Sequence, residues 1–397
     1  MKNKSGYKIC HLLYEEFPRD PRVRRYVNAL NEQGMKCVVI CSKKKHEPYF
    51  ENWNGNRVYR IPVSKKRQSF LLTFFEYSLF ASAASVLLAY LGIKYRFKII
   101  HVHTLPDYLV FAALFNKLTG SKIILDLHEI FPELFIARRP RLENSFWVKL
   151  LKLGEKLSIK FSNRLITIHE PARDIFVSRN KNIENKIQVI MNSVDPAEFK
   201  STVLTPTENF IIMYNGTIVK LLNLELIIKA LALLRNNMPA EDFDRIRFRL
   251  FGEGPVLNEM LSLAKETGLE DKVEYHGFVT PEVMHREVLE ASVCILPPLK
   301  NIYSDLFYTI KLIEMVYINI PVIATRLNTY KKYYREESLF YFDSGNTKQL
   351  AERIKEVYYD PAIVKEKTQN AFDDYTKVNR EVMMGRYKEL IKSLLSL

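Results

Sequence analysis

The sequence predicts an α/β protein built from two doubly wound domains that face a central cleft. The chain has 397 residues, which is the length of two ordinary domains. Short apolar runs alternate with helical patterns in both halves, as in parallel sheets covered by helices on both faces. A polar segment, 201–208, separates the two series. Because doubly wound domains bind ligands at the carboxyl ends of their strands, we expect the site in the cleft.

Composition excludes several classes of protein. Hydrophobic residues make up 47% and charged residues 26%, which suits folded cores and excludes a disordered chain. The 13 glycines and 17 prolines are too few for a collagen-like or low-complexity protein. The cysteines, at 10, 37, 41 and 294, lack zinc-ligand spacing and are typical of reduced thiols. The first apolar run is too short for a signal peptide, so we expect a cytoplasmic protein.

The net charge of +14 indicates an anionic partner. The whole excess lies in residues 1–200, which hold 34 Lys and Arg against 18 Asp and Glu, whereas residues 201–397 hold 25 against 27. Nucleic acid, an acidic membrane surface and a phosphate-bearing substrate all fit this charge. We expect no nucleic acid, because no recognised nucleic-acid-binding module is present.

The first domain, 1–200, is predicted to begin with a βαβ unit. A strand over 8–14 is followed by a helix that starts at Asp20-Pro21, where proline suits the first helical position. Gly34 ends this helix before a strand over 36–41. The remaining predicted elements are strands over 98–103, 122–127, 164–168 and 187–190, and a helix over 109–118.

The segment 77–93 has no charge over 17 residues and allows three interpretations. Basic residues flank it, namely Lys65, Lys66 and Arg67 before it and Lys94, Arg96 and Lys98 after it. A membrane span needs at least about 17 residues, but a span here would remove a helix from between two strands of one sheet. A buried helix of the sheet and a helix lying partly in a membrane surface remain open.

The second domain, 207–378, shows the same alternation of strands and helices. Its predicted strands are 210–214, 247–251, 273–275, 293–296 and 321–324. Its predicted helices are 223–234, 256–267, 281–291 and 309–317. An amphipathic helix, 379–397, ends the chain, and we expect it to pack back on the first domain.

An ordered series of short motifs resembles the family 4 retaining glycosyltransferases, which have the GT-B fold. The second half carries Asn215-Gly216-Thr217, then the motifs at 250–255 (LFGEGP), 275–279 (YHGFV), 311–314 (KLIE) and 321–325 (PVIAT). The first half carries the motifs at 20–23 (DPRV), 101–103 (HVH), 126–129 (DLHE) and 189–195 (VIMNSVD). The resemblance covers nearly the whole chain. It implies two Rossmann-like domains, the first binding the acceptor and the second binding a nucleotide sugar.

The resemblance implies a donor site in the loops of the second domain. In the family, an arginine and a lysine follow the first glycine and contact the diphosphate. Here Lys220 follows Gly216 and Thr217, and the arginine is missing. Two further loops of the family line the nucleotide pocket, and they correspond here to Gly252 and Gly254 and to Gly277 and Phe278. The alternative is an ordinary strand–helix turn with a solvated lysine.

The helix start at Tyr308 and Thr309 offers backbone N–H groups for phosphate oxygens. Lys311 lies one turn in, and Glu314 matches the family glutamate that accepts hydrogen bonds from the ribose hydroxyls. The family's first glutamate, which helps to hold the sugar, falls at Leu306. Asp305 is adjacent to it and could replace it only if the loop shifts by one residue. The alternative for Lys311 and Glu314 is an exposed ion pair.

Groups for the reacting sugar and the acceptor are expected in the first domain. The family places a histidine that matches His103 beside the reacting sugar, with His101 and His128 as rivals. His128 and Glu129 could orient an acceptor hydroxyl, with a solvated loop as the alternative. Arg19 and Arg22 could clamp an acceptor phosphate, with a solvated helix face as the alternative. The resemblance implies no metal ion.

These observations predict a retaining, metal-independent hexosyltransferase of cell-surface polysaccharide or glycan synthesis. The expected catalytic residues are His103, Lys220 and Glu314, and the chain needs no cofactor beyond its nucleotide-sugar co-substrate. The acceptor is a saccharide, free or linked to lipid diphosphate, and an anionic membrane surface is a further partner. The alternative is a catalytically weak GT-B protein that binds a glycan or a partner subunit.

Overall fold

The chain forms two compact units, as seen in a computed structural model that describes residues 6–63, 70–196, 199 and 203–396. The first unit comprises Met1–Asn192 and Glu381–Leu397, and the second comprises Ser193–Arg380. The predicted basic flank at 65–67 and the first two residues of the polar segment, 201 and 202, lie outside the described residues. Each unit has its own sheet.

Within the described residues, the first unit holds an eight-stranded sheet. Its strands are β1 (Tyr7–Leu13), β2 (Lys36–Ser42), β3 (Phe50–Trp53), β4 (Asn56–Ile61), β5 (Ile99–His103), β6 (Lys122–Leu127), β7 (Arg164–Thr167) and β8 (Ile187–Val189). The order is β3-β4-β2-β1-β5-β6-β7-β8, and all neighbours are parallel except β3 and β4. This arrangement confirms the doubly wound α/β prediction for the first unit.

Six helices of the first unit lie before the second unit among the described residues, and the sequence predicted the first of them accurately. They are α1 (Pro21–Glu32), α2 (Phe70–Tyr95), α3 (Leu114–Leu118), α4 (Phe131–Arg138), α5 (Phe146–Phe161) and α6 (Glu170–Arg179). The predicted start of α1 is confirmed, because Asp20 Oδ1 accepts hydrogen bonds from the backbone N–H of Arg22 at 2.9 Å and of Val23 at 3.3 Å. The single helix predicted over 109–118 is wrong, because a 3₁₀ helix, Asp107–Ala113, precedes α3.

A β-hairpin at one edge of the first sheet escaped the sequence prediction. β3 runs antiparallel to β4, and Trp53 pairs with Asn56 across the turn. The two turn residues, Asn54 and Gly55, have φ angles of 51° and 83°. Asn-Gly is the residue pair that such a two-residue turn favours, so the signal was present in the sequence.

Within the described residues, the second unit holds a six-stranded parallel sheet. Its strands are β9 (Phe210–Asn215), β10 (Ile246–Phe251), β11 (Val273–Gly277), β12 (Val293–Leu296), β13 (Val322–Thr325) and β14 (Phe340–Phe342), in the order β11-β10-β9-β12-β13-β14. Its helices are α7 (Glu225–Arg235), α8 (Ala240–Asp244), α9 (Leu257–Glu266), α10 (Pro281–Val288), α11 (Ile310–Tyr317), α12 (Asn328–Tyr333), α13 (Thr347–Tyr359) and α14 (Pro361–Thr376).

The last helix, α15 (Arg380–Leu395), packs within the first unit. Its Tyr387 is fully buried, and the hydroxyl lies 3.2 Å from His101 Nδ1. The backbone N–H of Met191 lies 3.2 Å from the sulfur of Met383. The end of the chain therefore completes the surroundings of a histidine of β5.

The long helix α2 is buried on one face and exposed on the other. Phe80, Ala84 and Leu88 are fully buried, whereas Phe75 and Val86 are 66% and 74% exposed. Only 17% of its most apolar window is buried, so the interpretation as a buried helix describes one face alone. By length and composition alone, α2 is the one helix among the described residues that could cross a membrane.

Candidate functional site

Three loops meet at the carboxyl ends of β9, β10 and β11 in the second unit. The backbone N–H of Gly216 donates to Phe251 O at 2.9 Å, and the N–H of Gly252 donates to Gly277 O at 2.7 Å. These bonds continue the parallel sheet by one residue past each strand end. The loops therefore form one backbone surface where doubly wound domains hold ligands.

Glycine is required in these loops because their backbones touch. A Cβ at Gly252, whose φ is +114°, would lie 2.0 Å from Gly216 O. A Cβ at Gly254 would lie 1.9 Å from Ile218 O. No side chain fits either position, and the absence of side chains leaves backbone open to a close approach by a ligand.

Lys311 brings a cation to the same surface. A Cβ at Gly216 would lie 2.4 Å from Lys311 Nζ, so the ammonium group sits directly over this glycine. The side chain is half-buried, and burial lowers its pKa, against the opposing effects of Cys294 and Glu314. No hydrogen bond or ion pair reaches Nζ from the part of the chain that the structure describes. A half-buried cation without a carboxylate partner is suited to an anionic ligand.

The remaining predicted residues of α11 lie around its first turn. Thr309 caps α11, and its side chain accepts a hydrogen bond from the N–H of Leu312 at 3.4 Å. Glu314 is half-buried one turn into the helix. The hydroxyl of Tyr308 lies 3.3 Å from that of Tyr334, and burial raises the pKa of Tyr308 well above its usual range. Tyr308 is thus held within a group of tyrosines.

The other predicted donor residues are exposed. Thr217 and Lys220 follow Gly216 in the β9 loop, and Lys220 begins a 3₁₀ turn. The ammonium group of Lys220 has no hydrogen-bond or ion-pair partner among the described residues. Phe278, which follows β11, is 83% exposed. An aromatic ring so exposed beside a backbone surface is available to stack on a planar ligand.

Asp305 is engaged elsewhere. Its Oδ1 accepts a hydrogen bond from the backbone N–H of Asn328 at 2.7 Å, and its Oδ2 accepts one from Asn328 Nδ2 at 2.6 Å. Lys300 Nζ lies 3.5 Å from Oδ1. The carboxylate therefore caps the first turn of α12, and its expected role at the donor sugar, which required a loop shift of one residue, stays a prediction.

Four histidines and an aspartate form a buried cluster at the carboxyl end of the first sheet. The cluster contains His11, His101, His103, Asp126 and His128, and each member is at most 4% exposed. The strand register explains it, because His11 pairs with His101 and His103 pairs with Asp126 on neighbouring strands. Asp126 Oδ2 lies 3.1 Å from His103 Nδ1, 2.8 Å from His128 Nε2 and 3.6 Å from His101 Nε2.

Both ring nitrogens of His103 have partners inside the cluster. Nδ1 faces Asp126, and Nε2 lies 3.0 Å from His11 Nδ1. Asp126 accepts from Nδ1, so Nε2 is the acceptor nitrogen and His11 Nδ1 donates to it. His128 differs, because its Nδ1 has no hydrogen-bond partner within the described residues.

Burial and neighbouring charges keep the histidines of the cluster neutral and keep Asp126 ionised. Burial, reinforced by His103, lowers the pKa of His101 to about 4. Burial also lowers the pKa of His103 and of His128, although Asp126 opposes it in both. Burial alone would raise the pKa of Asp126, but His128 and hydrogen bonds from the histidines lower it well below its usual range. Neutral imidazoles can accept protons or bind metal ions.

Two overlapping groups in this cluster could hold a metal ion. One comprises His11, His101 and His103, and the other comprises His103, Asp126 and His128. The ligand atoms of each group lie within 4.8 Å of one another. The sequence predicted no metal-binding partner motif for His101 and His103, because the side chains that could join them come from β1, from β6 and from the residue after β6.

The arginines near β1 differ from the predicted clamp. Arg22 makes a two-point pair with Asp20, with Nε at 3.3 Å from Oδ1 and Nη2 at 2.9 Å from Oδ2. Burial alone would raise the pKa of Asp20, but the hydrogen bonds and the charge of Arg22 lower it to about 2. Arg19 is exposed and has no charged partner among the residues described. Glu129 is half-buried, close enough to Arg22 to raise the pKa of that guanidinium.

Sequence reasoning missed three members of this region. His11 lies inside β1 and looked like a core residue. The rings of Tyr26 and Tyr387 lie 5.1 and 5.6 Å from that of His101. The register of β1 against β5, the packing of α1 and the return of α15 bring them there, so the sequence carried no local signal.

Two family models together match most of the chain. Residues 22–198 match the model described as Glycosyltransferase Family 4, and residues 195–378 match the model described as Glycosyl transferases group 1. The chain belongs to the family 4 glycosyltransferases of GT-B fold. This membership agrees with the two Rossmann-like sheets and with the motif series.

Several known proteins are similar to this glycosyltransferase. An uncharacterized glycosyltransferase of Methanocaldococcus jannaschii is 22% identical over 70% of this chain and 69% of its own. Sucrose-phosphate synthase of Thermosynechococcus elongatus has a TM-score of 0.75 at 16% identity, covering 98% of this chain and 99% of its own. Anabaena HepE in complex with UDP has a TM-score of 0.70 at 12% identity, covering 97% and 100%. These two structures support the fold.

Proposed function

We propose that this glycosyltransferase moves a hexose from a nucleoside diphosphate sugar to a saccharide acceptor, with retention and without a metal ion. The observation that carries the proposal is Lys311, whose ammonium group lies over Gly216 with no hydrogen bond or ion pair among the described residues. The backbone surface of Gly252 and Gly254 and the N-terminus of α11 surround the same loops. Together they suit a diphosphate.

The donor is assigned to the second unit. Lys311, Lys220 and the first N–H groups of α11 stabilise the diphosphate, and Glu314 accepts hydrogen bonds from the ribose. Gly277 and Phe278 border the base. UDP is our first candidate nucleotide, because the similar Anabaena HepE was solved with UDP and with UDP-glucose.

In the proposed reaction, the bond from the anomeric carbon to the β-phosphate oxygen breaks, and its electron pair leaves with the diphosphate. Cations and N–H groups aimed at this oxygen stabilise the charge that grows there. The acceptor hydroxyl bonds to the anomeric carbon on the face that the diphosphate leaves, and its proton passes to a neutral imidazole. His128 Nδ1 is the ring nitrogen that we assign to this proton.

His103 is assigned to the reacting sugar. Asp126 holds the Nδ1 of His103. The Nε2 of His103 therefore gives up its bond with His11 and accepts one from a sugar hydroxyl when the donor binds.

Glu129 and Arg19 are assigned to the acceptor, free or linked to lipid diphosphate. We assign Arg22 to holding the carboxylate of Asp20 in place. We assign Asp305 to holding the loop before α11 in place.

The experiment is a panel of UDP-, GDP-, dTDP- and ADP-sugars, scored by the shift in thermal unfolding and by slow donor hydrolysis. A ligand at about 100 times its Kd adds roughly 2.7 kcal/mol of stability. Stabilisation by one donor, lost in Glu314→Ala, supports the proposal. Absence of both stabilisation and hydrolysis with every donor contradicts it.

One observation favours a second function, a glycan-binding or partner-binding protein with little catalysis. Position 306 is leucine, and the carboxylate of Asp305 is bonded to Asn328. The family's sugar-holding glutamate therefore has no replacement in this loop. Nucleotide binding without transfer or hydrolysis of any donor would favour this second function.

A further inference from the structure

The first unit exposes apolar side chains on three neighbouring elements. The 3₁₀ segment Asp107–Ala113, which leads into α3, packs between α2 and α5. The ring of Phe111 lies 5.1 Å from that of Phe161 on α5, and Asn116 Nδ2 donates to Leu88 O on α2 at 3.3 Å. We call the exposed apolar side chains of these elements the apolar face.

The apolar face is larger than scattered surface residues would make it. Phe75 and Ile93 of α2, Leu118 of α3, and Phe146 of α5 are each at least 66% exposed. Large contiguous apolar patches on soluble proteins mark interaction sites, whereas single exposed apolar residues are ordinary. Side chains this large and this exposed on adjacent elements suit contact with a partner.

Charge identifies the chemistry of that partner. On α5, apolar side chains at 146, 150, 153 and 157 form one exposed stripe, and lysines at 149, 152, 156 and 160 form a second stripe beside it. The helix has one acidic residue, Glu155, which is buried against Arg179. The acid of α2, Glu76, is also buried. The described parts of α2, α3 and α5 thus expose cations and no carboxylate.

We propose that the apolar face docks this protein on the surface of a bilayer that contains anionic lipids. Aromatic and leucine side chains enter the boundary between headgroups and acyl chains, and the flanking lysines stay at the lipid phosphates. Docking needs neither nucleotide nor catalysis, so it extends the proposed function without resting on it.

The packing of α2 argues against this helix crossing the bilayer. Phe80, Ala84, Leu88 and Leu91 are fully buried against the rest of the first unit. A spanning α2 would expose these side chains and leave the sheet uncovered on that side. Docking keeps them buried and uses only the opposite face.

The first experiment is flotation of the full chain with vesicles of phosphatidylcholine, with and without 30% phosphatidylglycerol. We expect binding to the anionic vesicles alone at 0.1 M salt, and release at 1 M salt, because screening removes the lysine contribution. No binding to anionic vesicles overturns the proposal. Binding that survives 1 M salt and carbonate and yields only to detergent also overturns it, in favour of a span.

Two triple variants separate a local surface from net charge. Lys149→Gln/Lys152→Gln/Lys156→Gln removes three cations of the α5 stripe, and we expect a loss of at least tenfold in vesicle affinity. The control Lys265→Gln/Lys348→Gln/Lys365→Gln removes three exposed cations of the second unit. Equal losses in the two variants would overturn the assignment of the docking surface.

Tryptophan fluorescence tests the apolar contact itself. The chain has two tryptophans, so Trp53→Phe leaves Trp147 of α5 as the single tryptophan, which is excited selectively at the red edge of its absorption. We expect a blue shift with anionic vesicles and quenching by lipids brominated in the acyl chains. An unshifted, unquenched Trp147 in vesicle-bound protein overturns the proposal. So does a dimer in light scattering that Leu153→Ser dissociates, because the face would then belong to a second copy.

Discussion

Lys311 is the residue on which the proposed donor site depends most. Its ammonium group is half-buried over Gly216, and no hydrogen bond or ion pair reaches it from the described residues, although the charge of Glu314 acts on it. Burial lowers its pKa, and a bound diphosphate would restore a favourable environment for the charge. The sequence identified Lys311 by its place in a helix start, and the structure adds the contact with the glycine loop.

We expect Lys311→Ala to weaken binding of the preferred nucleoside diphosphate at least tenfold, about 1.4 kcal/mol, because a charge-assisted contact is lost. The matching nucleoside without phosphate should bind as before. Calorimetry measures both, with Lys265→Ala on the exposed side of α9 as control. Equal losses for nucleoside and diphosphate would contradict a phosphate contact.

We expect His103→Gln to lower kcat about 100-fold or more while donor affinity falls at most about tenfold, because we propose that the histidine acts on the reacting sugar. Glutamine keeps a polar group beside Asp126 and limits the structural disturbance. His46→Gln changes an exposed histidine and serves as the control. Steady-state kinetics and thermal unfolding check both variants, and an unchanged kcat would remove His103 from the mechanism.

The histidine cluster should make the protein less stable in acid. Burial lowers the pKa of His101 to about 4, below the value of about 6.5 in an unfolded chain. Its stabilising contribution is complete above about pH 6.5 and is lost as the pH falls toward 4. We expect the free energy of unfolding to fall over this window by on the order of 3 kcal/mol from His101.

Two buried acids act in the opposite direction and must be removed for this measurement. Burial raises the pKa of Asp107 and of Glu155 to about 7, so their contributions are complete at low pH and are lost as the pH rises through 7. Urea unfolding of Asp107→Asn/Glu155→Gln from pH 4 to 8 isolates the histidines. Adding His101→Gln should flatten the curve, and an unchanged slope would contradict the assignment.

At the level of elements, the contact between the β9 and β10 loops shapes the donor site. A Cβ at Gly252 would lie 2.0 Å from Gly216 O. We expect Gly252→Ala to cost more than the roughly 1 kcal/mol of an ordinary glycine at positive φ, and to abolish nucleotide binding at 1 mM. Gly345 has a φ of +75° and no atom within 4 Å of an added Cβ, so Gly345→Ala is the matched control. Equal effects on nucleotide binding would contradict the account.

The sequence predicted elements that have local signals. Asp20-Pro21 marks the start of α1 with a capping side chain, and the structure confirms it. Asn54-Gly55 marks the β3–β4 hairpin equally well but was not used. His11 had no such signal, because only its register against His101 on β5 brings it into the cluster. The same holds for Asp305, whose bond to Asn328 joins residues 23 positions apart.

The helix α2 shows why amphipathic character can be hidden. Its buried and exposed faces are both apolar, so the sequence pattern has no polar side from which to choose an orientation. Packing against the sheet decides which face is covered. On α5, the exposed lysines lie beside the exposed leucines. No local sequence signal joins α5 to α2, because the 3₁₀ segment that packs against both helices brings them together.

For the whole molecule, metal independence is a prediction with a direct test. Two histidine groups could bind an ion, whereas the proposed reaction uses cations and N–H groups of the chain. We expect exhaustive dialysis against EDTA and dipicolinate to leave the transfer rate within twofold. Loss of activity on chelation, with recovery on adding Zn²⁺, would assign an ion to the histidine cluster and overturn this prediction.

We propose that the second unit holds a nucleoside diphosphate sugar and that the chain transfers its sugar. The most direct measurement is release of nucleoside diphosphate from the panel of donors by the wild-type chain and by Lys311→Ala. The account predicts turnover of one donor class by the wild type and at least a tenfold loss of kcat/KM in the variant. Turnover unaffected by Lys311→Ala, or no turnover with any donor, would contradict it.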